Sequence, residues 1–120
     1  MLYAFLCYNN EAAVNSWTKE EDDAVMARLD VVHQKHAAKM GPALRLMPTT
    51  TATTLQKERD LILDGPYAET KEALLGFYIL DCASLEEAHQ VARDLAGANP
   101  GGAYEIRPVR LYVPGAPVAG

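Results

Sequence analysis

The segment at positions 2–8 decides the fold class, because its residues, LYAFLCY, are apolar at both alternating sets of positions. Successive side chains of a strand point to opposite faces of a sheet, so a strand of this kind is covered on both faces. The run at positions 74–80, LLGFYIL, has the same character and predicts a second buried strand. Both strands therefore predict a sheet that leaves neither face to water.

Two helices are predicted alongside the strands. Each begins with a capping box, in which Ser or Thr is followed three residues later by Glu: Thr18 with Glu21, and Ser84 with Glu87. The apolar positions of the first helix are spaced for one face, at Val25, Leu29, Val32 and Met40. Gly41-Pro42 is predicted to end this helix and Gly97 the second, because glycine and proline are typical of helix ends.

The remaining segments predict shorter strands. Short segments at 43–47, 51–55 and 61–64 precede the second buried strand, and the charged turn at 57–60 predicts a hairpin. A last strand is predicted over 104–113, where Pro108 marks an edge or bulged strand because proline cannot donate to a ladder. This order matches the split βαβ layout of ferredoxin-like folds, an α+β class with an antiparallel sheet.

Length and charge limit the class of protein. The 120 residues suit one domain, predicted over 1–113 with a C-terminal tail at 114–120. The 11 basic and 16 acidic side chains give a net charge of −5, which argues against nucleic acid or an anionic membrane as partner. The longest apolar run, at 73–80, is too short to span a bilayer.

The cysteines and the first residues indicate a compartment. Cys7 and Cys82 lie far apart in apolar surroundings and form no CxxC pair, so reduced core thiols are expected, with a disulfide as the less favoured alternative. Met1 leads directly into the first strand, without the basic region or cleavage site of an export signal. We therefore expect a cytoplasmic protein.

The pattern also predicts self-association. Two helices cover only one face of the sheet, and the second face would be a larger apolar patch than a monomer normally exposes. We expect a homodimer that pairs sheet to sheet, with a cavity for a small molecule between the sheets or at their rim.

Four segments together resemble a known family. They are DGPYAETKE at 64–72, GFY at 76–78, SLEEA at 84–88 and EIRPV at 105–109, and they are similar to the DGPF branch of the YCII-related proteins. Tyr67 replaces the usual phenylalanine, and Leu75 replaces the first glycine of Gly-Gly-Phe. The resemblance implies a ferredoxin-like subunit that pairs into a dimeric α/β barrel. It also implies, for some relatives, lyase-like activity on small cyclic compounds with a histidine and an aspartate as the acting pair.

The segment Asp64-Gly65-Pro66 has two interpretations. As a turn, Asp accepts backbone N–H groups, Gly supplies a positive φ and Pro fixes the next φ. As a site, a carboxylate at a strand end beside an apolar cavity can act as a general base near neutral pH. Tyr67 on the same loop and Tyr78 on the buried strand are candidate hydrogen-bond donors to a substrate.

His36 is the candidate imidazole. At 100° per residue it falls within the apolar stripe of the first helix, whereas His33 lies on its flank. One outcome is a satisfied core histidine, and the other is an acid–base pair with a carboxylate such as Asp64. His33 and His36 are spaced i, i+3 for a metal ion, but no third ligand is suggested by spacing, so no metal site is predicted.

Arg107 also has two interpretations. Its planar guanidinium suits an anion clamp for a substrate carboxylate or enolate. It equally suits an ion pair with Glu105 of a partner subunit or with a loop carboxylate.

With the lyase-like chemistry on small cyclic compounds that the resemblance implies, these residues predict a cofactor-free enzyme of the lyase or isomerase type that acts on a small cyclic hydroxylated or carboxylated compound. Asp64 or His36 would be the base, Tyr67 or Tyr78 the donor, and Arg107 the clamp. No Gly-rich phosphate loop or nucleophile elbow occurs in the sequence, and no cofactor is predicted. The alternative is a non-catalytic small-molecule-binding or protein-interaction module linked to transcription regulation.

Overall fold

The structure is a computed structural model that describes residues 1–113. The predicted tail at 114–120 lies outside the described residues, and the division into domain and tail stays a prediction. The elements in chain order are β1 (Leu2–Asn9), α1 (Glu11–Asn15), α2 (Lys19–Lys35), β2 (Met40–Arg45), β3 (Thr53–Gln56), β4 (Leu61–Asp64), β5 (Ala73–Asp81), α3 (Leu85–Ala98) and β6 (Ala103–Pro108).

The main sheet has four strands in the order β2-β5-β1-β6, and every neighbouring pair is antiparallel. β5 and β1 are the central strands, as expected for the two runs that are apolar at both sets of positions. With α2 following β1 and α3 following β5, this is the predicted ferredoxin-like α+β fold. β3 and β4 form the predicted hairpin as a separate two-stranded sheet.

The core lies between one face of the sheet and the helices. Phe5 of β1 and Leu80 of β5 are fully buried there, against Val91 and Leu95 of α3. α2 buries only two of its side chains in this core, Val25 and Leu29. Since α3 supplies the larger apolar face, it covers the sheet closely while α2 packs less completely.

Both capping residues begin their helices as predicted: Thr18 accepts from the Glu21 N–H, and Ser84 accepts from the Glu87 N–H. The predicted end of the first helix is wrong. α2 ends at Lys35, and Gly41-Pro42 lies inside β2 rather than after a helix. β2 is an edge strand with an irregular register between Met40 and Ala43, where a proline is tolerated because its missing donor is not needed in the ladder.

Other boundaries also differ from the prediction. α1 was not expected, and it forms because the Asn10 side chain accepts from the Ala13 N–H and caps a single helical turn. β6 ends at Pro108, short of the predicted 113. Cys7 and Cys82 are free thiols. Within residues 1–113, no helix is long and apolar enough to cross a membrane.

The face of the sheet opposite the helices carries apolar side chains. Leu6 is the cross-strand partner of Phe77, and Phe77 is the partner of Leu44, which is 42% exposed. We call the surface formed by Leu6, Leu44 and Phe77 the open face. The β3–β4 hairpin adds further exposed apolar side chains, at Leu55, Leu61, Ile62 and Leu63.

Candidate functional site

A cavity of about 230 Å³ lies on the helix side of the sheet, between the strands and α2. Its strand wall is built from the C-terminal part of β1 and the N-terminal parts of β5 and β6, which meet at the same end of the sheet because the strands are antiparallel. Val25 and Leu29 of α2 supply part of the opposite wall, and Trp17 closes one side. The lining is mainly apolar, with a few polar groups, as ligand cavities usually are.

A histidine and a tyrosine meet in the cavity wall. His33 Nε2 lies 3.0 Å from the Tyr78 hydroxyl oxygen, and the rings are edge to face with centroids 5.3 Å apart. Tyr78 points to the helix side because it is the cross-strand partner of Phe5, which is in the core. His33 reaches the same cavity because it lies four residues after Leu29 and therefore on the same side of α2.

Burial keeps this pair uncharged. Desolvation lowers the pKa of His33 below its ordinary value of 6.5, against an opposing contribution from Asp30. Desolvation, with smaller contributions from Tyr104 and Cys7, raises the pKa of Tyr78 well above its ordinary value of 10.0. At neutral pH the neutral imidazole and the protonated phenol therefore share one hydrogen bond, and His33 is available to accept a proton.

The neighbouring polar groups are also neutral. Burial raises the pKa of the Cys7 thiol to about 12, so this thiol is not a nucleophile at neutral pH. Burial also raises the pKa of Tyr104, whose hydroxyl accepts a hydrogen bond from Asn99 Nδ2 at 3.2 Å. Cys7 and Tyr104 therefore carry no charge at neutral pH that would compete for a proton transferred inside this cavity.

One ion pair stands at the rim of the cavity. Arg45 of β2 donates from Nη2 to Asp22 Oδ1 at 3.1 Å and from Nη1 to Asp22 Oδ2 at 3.4 Å. Both residues line the cavity, and their side chains are partly exposed.

The structure does not bring the predicted site residues together. Tyr78 lies in the cavity wall. His36 is buried but does not line this cavity; it caps the end of α2, and its Nε2 lies 2.8 Å from Asp94 Oδ2 on α3. Of the two outcomes considered for His36, the ring is paired with a carboxylate, but that carboxylate is Asp94 of the facing helix rather than Asp64. Whether His36 has a catalytic role stays a prediction.

Asp64, Tyr67 and Arg107 also lie outside the cavity lining. Asp64 is exposed at the end of β4, and Gly65 takes the positive φ of 101° that the turn interpretation requires. The side chain of Tyr67 is 87% exposed. Arg107 donates from Nε to Glu105 Oε2 of its own chain at 2.6 Å, whereas the ion-pair interpretation placed the acceptor on Glu105 of a partner subunit or on a loop carboxylate.

Sequence reasoning placed His33 below His36 and did not single out Arg45, although both line the cavity. The sequence signal for His33 was its position four residues after Leu29, which places both side chains on the same side of a helix. With the helix end predicted correctly, this spacing would have favoured His33 over His36. Arg45 carries no recognisable motif. Within residues 1–113, no cluster of three or more histidine, cysteine or carboxylate side chains could hold a metal ion.

Comparison with known proteins defines the class. Residues 1–112 match the YCII-related domain, and the chain belongs to that family. An uncharacterized protein of Rhizobium meliloti (strain 1021) is 56% identical over 120 residues, which cover 96% of this chain and 97% of the relative.

A solved structure with the same fold is 5-chloro-2-hydroxyhydroquinone dehydrochlorinase from Burkholderia phenoliruptrix AC1100, in complex with 2,5-dihydroxybenzoquinone. It has a TM-score of 0.55 and 14% identity, with 92% of this chain and 94% of that chain covered. At 14% identity, this similarity shows that the two chains share a fold.

Proposed function

We propose that this protein is a cofactor-independent acid–base enzyme of the lyase or isomerase type, acting on a small hydroxylated ring compound in the cavity beside α2. The observation that carries the proposal is the His33–Tyr78 hydrogen bond in a mainly apolar cavity. A neutral imidazole bonded to a neutral phenol is a proton acceptor and a proton donor placed side by side.

The pair supports a balanced proton relay. A substrate hydroxyl gives its proton to the Tyr78 oxygen while the Tyr78 O–H proton passes to His33 Nε2. The substrate becomes an enolate or phenolate, and His33 becomes an imidazolium. The imidazolium then returns the proton through Tyr78 to a substrate carbon or to a departing group, which completes an isomerisation or an elimination.

The size of the cavity supports a single-ring substrate. A cavity of about 150 Å³ holds benzene, and drug-sized ligands occupy roughly 300–1,000 Å³. The volume of about 230 Å³ lies between these, which suits one six-membered ring with a few small substituents. The ligand of the structurally similar dehydrochlorinase, a dihydroxylated ring, belongs to this size class.

We also propose that the protein is a cytoplasmic homodimer of the dimeric α/β barrel type within the DGPF branch. The apolar side chains of the open face support this pairing, because Leu44 is exposed beside Phe77 and Leu6. Catalytic roles for Asp64 and His36, and binding roles for Tyr67 and Arg107, stay predictions for that assembly.

The proposed activity is tested with a panel of dihydroxy- and trihydroxybenzenes and their carboxylated derivatives in deuterated buffer. Nuclear magnetic resonance is used to follow deuterium incorporation and loss of ring substituents. We expect His33→Gln to lower the rate by about 10²–10⁴-fold, the range for a lost general acid or base, and Tyr78→Phe to lower it by at least tenfold. His89→Gln is the matched control, because His89 is exposed on α3 and should have no effect.

Two results separate the alternatives. Ring compounds that bind but undergo neither exchange nor elimination would contradict an enzyme and favour the small-molecule-binding module. Catalysis that survives His33→Gln unchanged would contradict the assignment of the base.

A further inference from the structure

The Arg45–Asp22 pair is the charged feature of the cavity. Of the described residues that line it, these two alone carry side chains that are charged at neutral pH. The Arg45 side chain is 54% exposed and the Asp22 side chain 34% exposed, so the pair meets solvent at the rim rather than being sealed in the core. A ligand entering the cavity can therefore reach the guanidinium.

The backbone that carries Arg45 is held firmly against the central strand. Arg45 is the cross-strand partner of Gly76, and the next residue, Leu46, donates its N–H to the Leu75 carbonyl at 2.8 Å. An added Cβ at position 76 would overlap the Leu44 carbonyl oxygen, so β2 approaches β5 this closely only because residue 76 is glycine. The guanidinium is thus presented from a fixed strand on the same side as His33 and Tyr78.

The hydrogen-bonding capacity of Arg45 is not used up by Asp22. A guanidinium has five N–H donors, and the two contacts with Asp22 use two of them. The remaining donors keep the planar geometry that matches a carboxylate. Asp22 neutralises the guanidinium when the cavity is empty and competes with any anion that binds there.

We infer that Arg45 is the anion anchor of this cavity and that its substrate class is a hydroxylated single-ring monocarboxylate. The carboxylate would bind Arg45 at the rim, and the ring hydroxyl would bind the His33–Tyr78 pair inside. This inference rests on the proposed function and narrows its substrate class. It also assigns to Arg45 the role that the sequence suggested for Arg107.

Isothermal titration of the intact protein with two matched compounds tests the inference. The probes are 4-hydroxybenzoate and its uncharged analogue 4-hydroxybenzamide, which have the same ring and carry the hydroxyl at the opposite end from the carboxylate or amide. We expect the carboxylate to bind at least tenfold more tightly. Arg45→Gln should remove this preference by weakening carboxylate binding about 10- to 100-fold, the range for a lost charge-assisted hydrogen bond, while amide binding changes little. Arg93→Gln, which removes an exposed cation from α3, is the control and should alter neither affinity.

Asp22→Asn separates ligand binding from a purely structural role. If Arg45 binds the carboxylate, loss of the competing charge of Asp22 should tighten carboxylate binding several-fold and leave amide binding unchanged. If the pair only ties β2 to α2, Arg45→Gln and Asp22→Asn should each weaken the binding of both ligands. That shared weakening would overturn the inference.

Two other results have distinct meanings. Equal affinity of the wild-type protein for the two compounds, unaltered by Arg45→Gln, would overturn the anion anchor and leave the acid–base proposal standing. If neither compound binds, both the single-ring cavity and the anchor are overturned.

Discussion

Replacement of Gly76 by alanine should destabilise the protein by forcing two strands apart. The new Cβ would lie 3.1 Å from the Arg45 Cα and much closer to the Leu44 carbonyl oxygen, well inside the ~3.3 Å of an ordinary carbon–oxygen contact. Both neighbours are backbone atoms, so β2 itself must move. Such a shift weakens the hydrogen-bond ladder between β2 and β5 on either side of residue 76. Loss of about two hydrogen bonds at roughly 1 kcal/mol each, with some overpacking, predicts that the free energy of unfolding falls by about 2–3 kcal/mol.

Urea denaturation followed by circular dichroism measures this loss at one fixed protein concentration, since self-association would make the unfolding midpoint depend on concentration. Gly97→Ala is the matched control. An added Cβ at position 97 meets nothing within 4 Å, and the residue lies inside α3, so alanine should stabilise the protein by about 0.5–1 kcal/mol. Opposite signs at the two positions support the reasoning, whereas a harmless Gly76→Ala would refute the close contact of β2 with β5.

Four further results are expected. Gly65→Ala should cost about 1 kcal/mol in urea denaturation although the space around it is open, because its φ is 101°; an unchanged midpoint would contradict the turn. Asp94→Asn should destabilise the protein by about 1–2 kcal/mol at pH 7. The hydrogen bond from His36, and then that from Lys35, lowers the pKa of Asp94 below 3.8. The stability that ionised Asp94 contributes is therefore present above pH 3.8 and is lost as the pH falls through the lowered pKa. A difference in unfolding free energy between the two proteins that persists at lower pH would contradict this. Phe77→Glu should give monomers or aggregates in analytical ultracentrifugation, and an unchanged dimer would place the interface elsewhere. The acid limb of the pH–rate profile should have its midpoint below pH 6.5, because burial lowers the pKa of His33 below that value, and a midpoint above pH 6.5 would exclude His33 as the group that titrates.

The sequence predicted the central part of the fold well and its edges less well. The run at 74–80 predicted β5 to within one residue at each end, because a buried strand must be apolar on both faces and few other structures produce that pattern. β2 was harder to predict because Gly41-Pro42 is a typical helix stop. The irregular register of an edge strand accommodates the same residues, and tertiary pairing with β5 decides between the two structures.

The choice between the two histidines depended on where the first helix ends. The prediction extended the apolar periodicity to Met40, which placed His36 inside the stripe, but α2 ends at Lys35 and His36 adopts a non-helical backbone as its cap. The chain turns there, and the ring of His36 faces Asp94 of α3. His33 is still within the helix, and it therefore keeps the direction set by Leu29 and points toward Tyr78. His33 and His36 are only three residues apart, yet one faces the cavity and the other joins two helices because α2 ends between them. The apolar periodicity alone cannot predict where a helix ends, because helix ends are set by local capping and by packing.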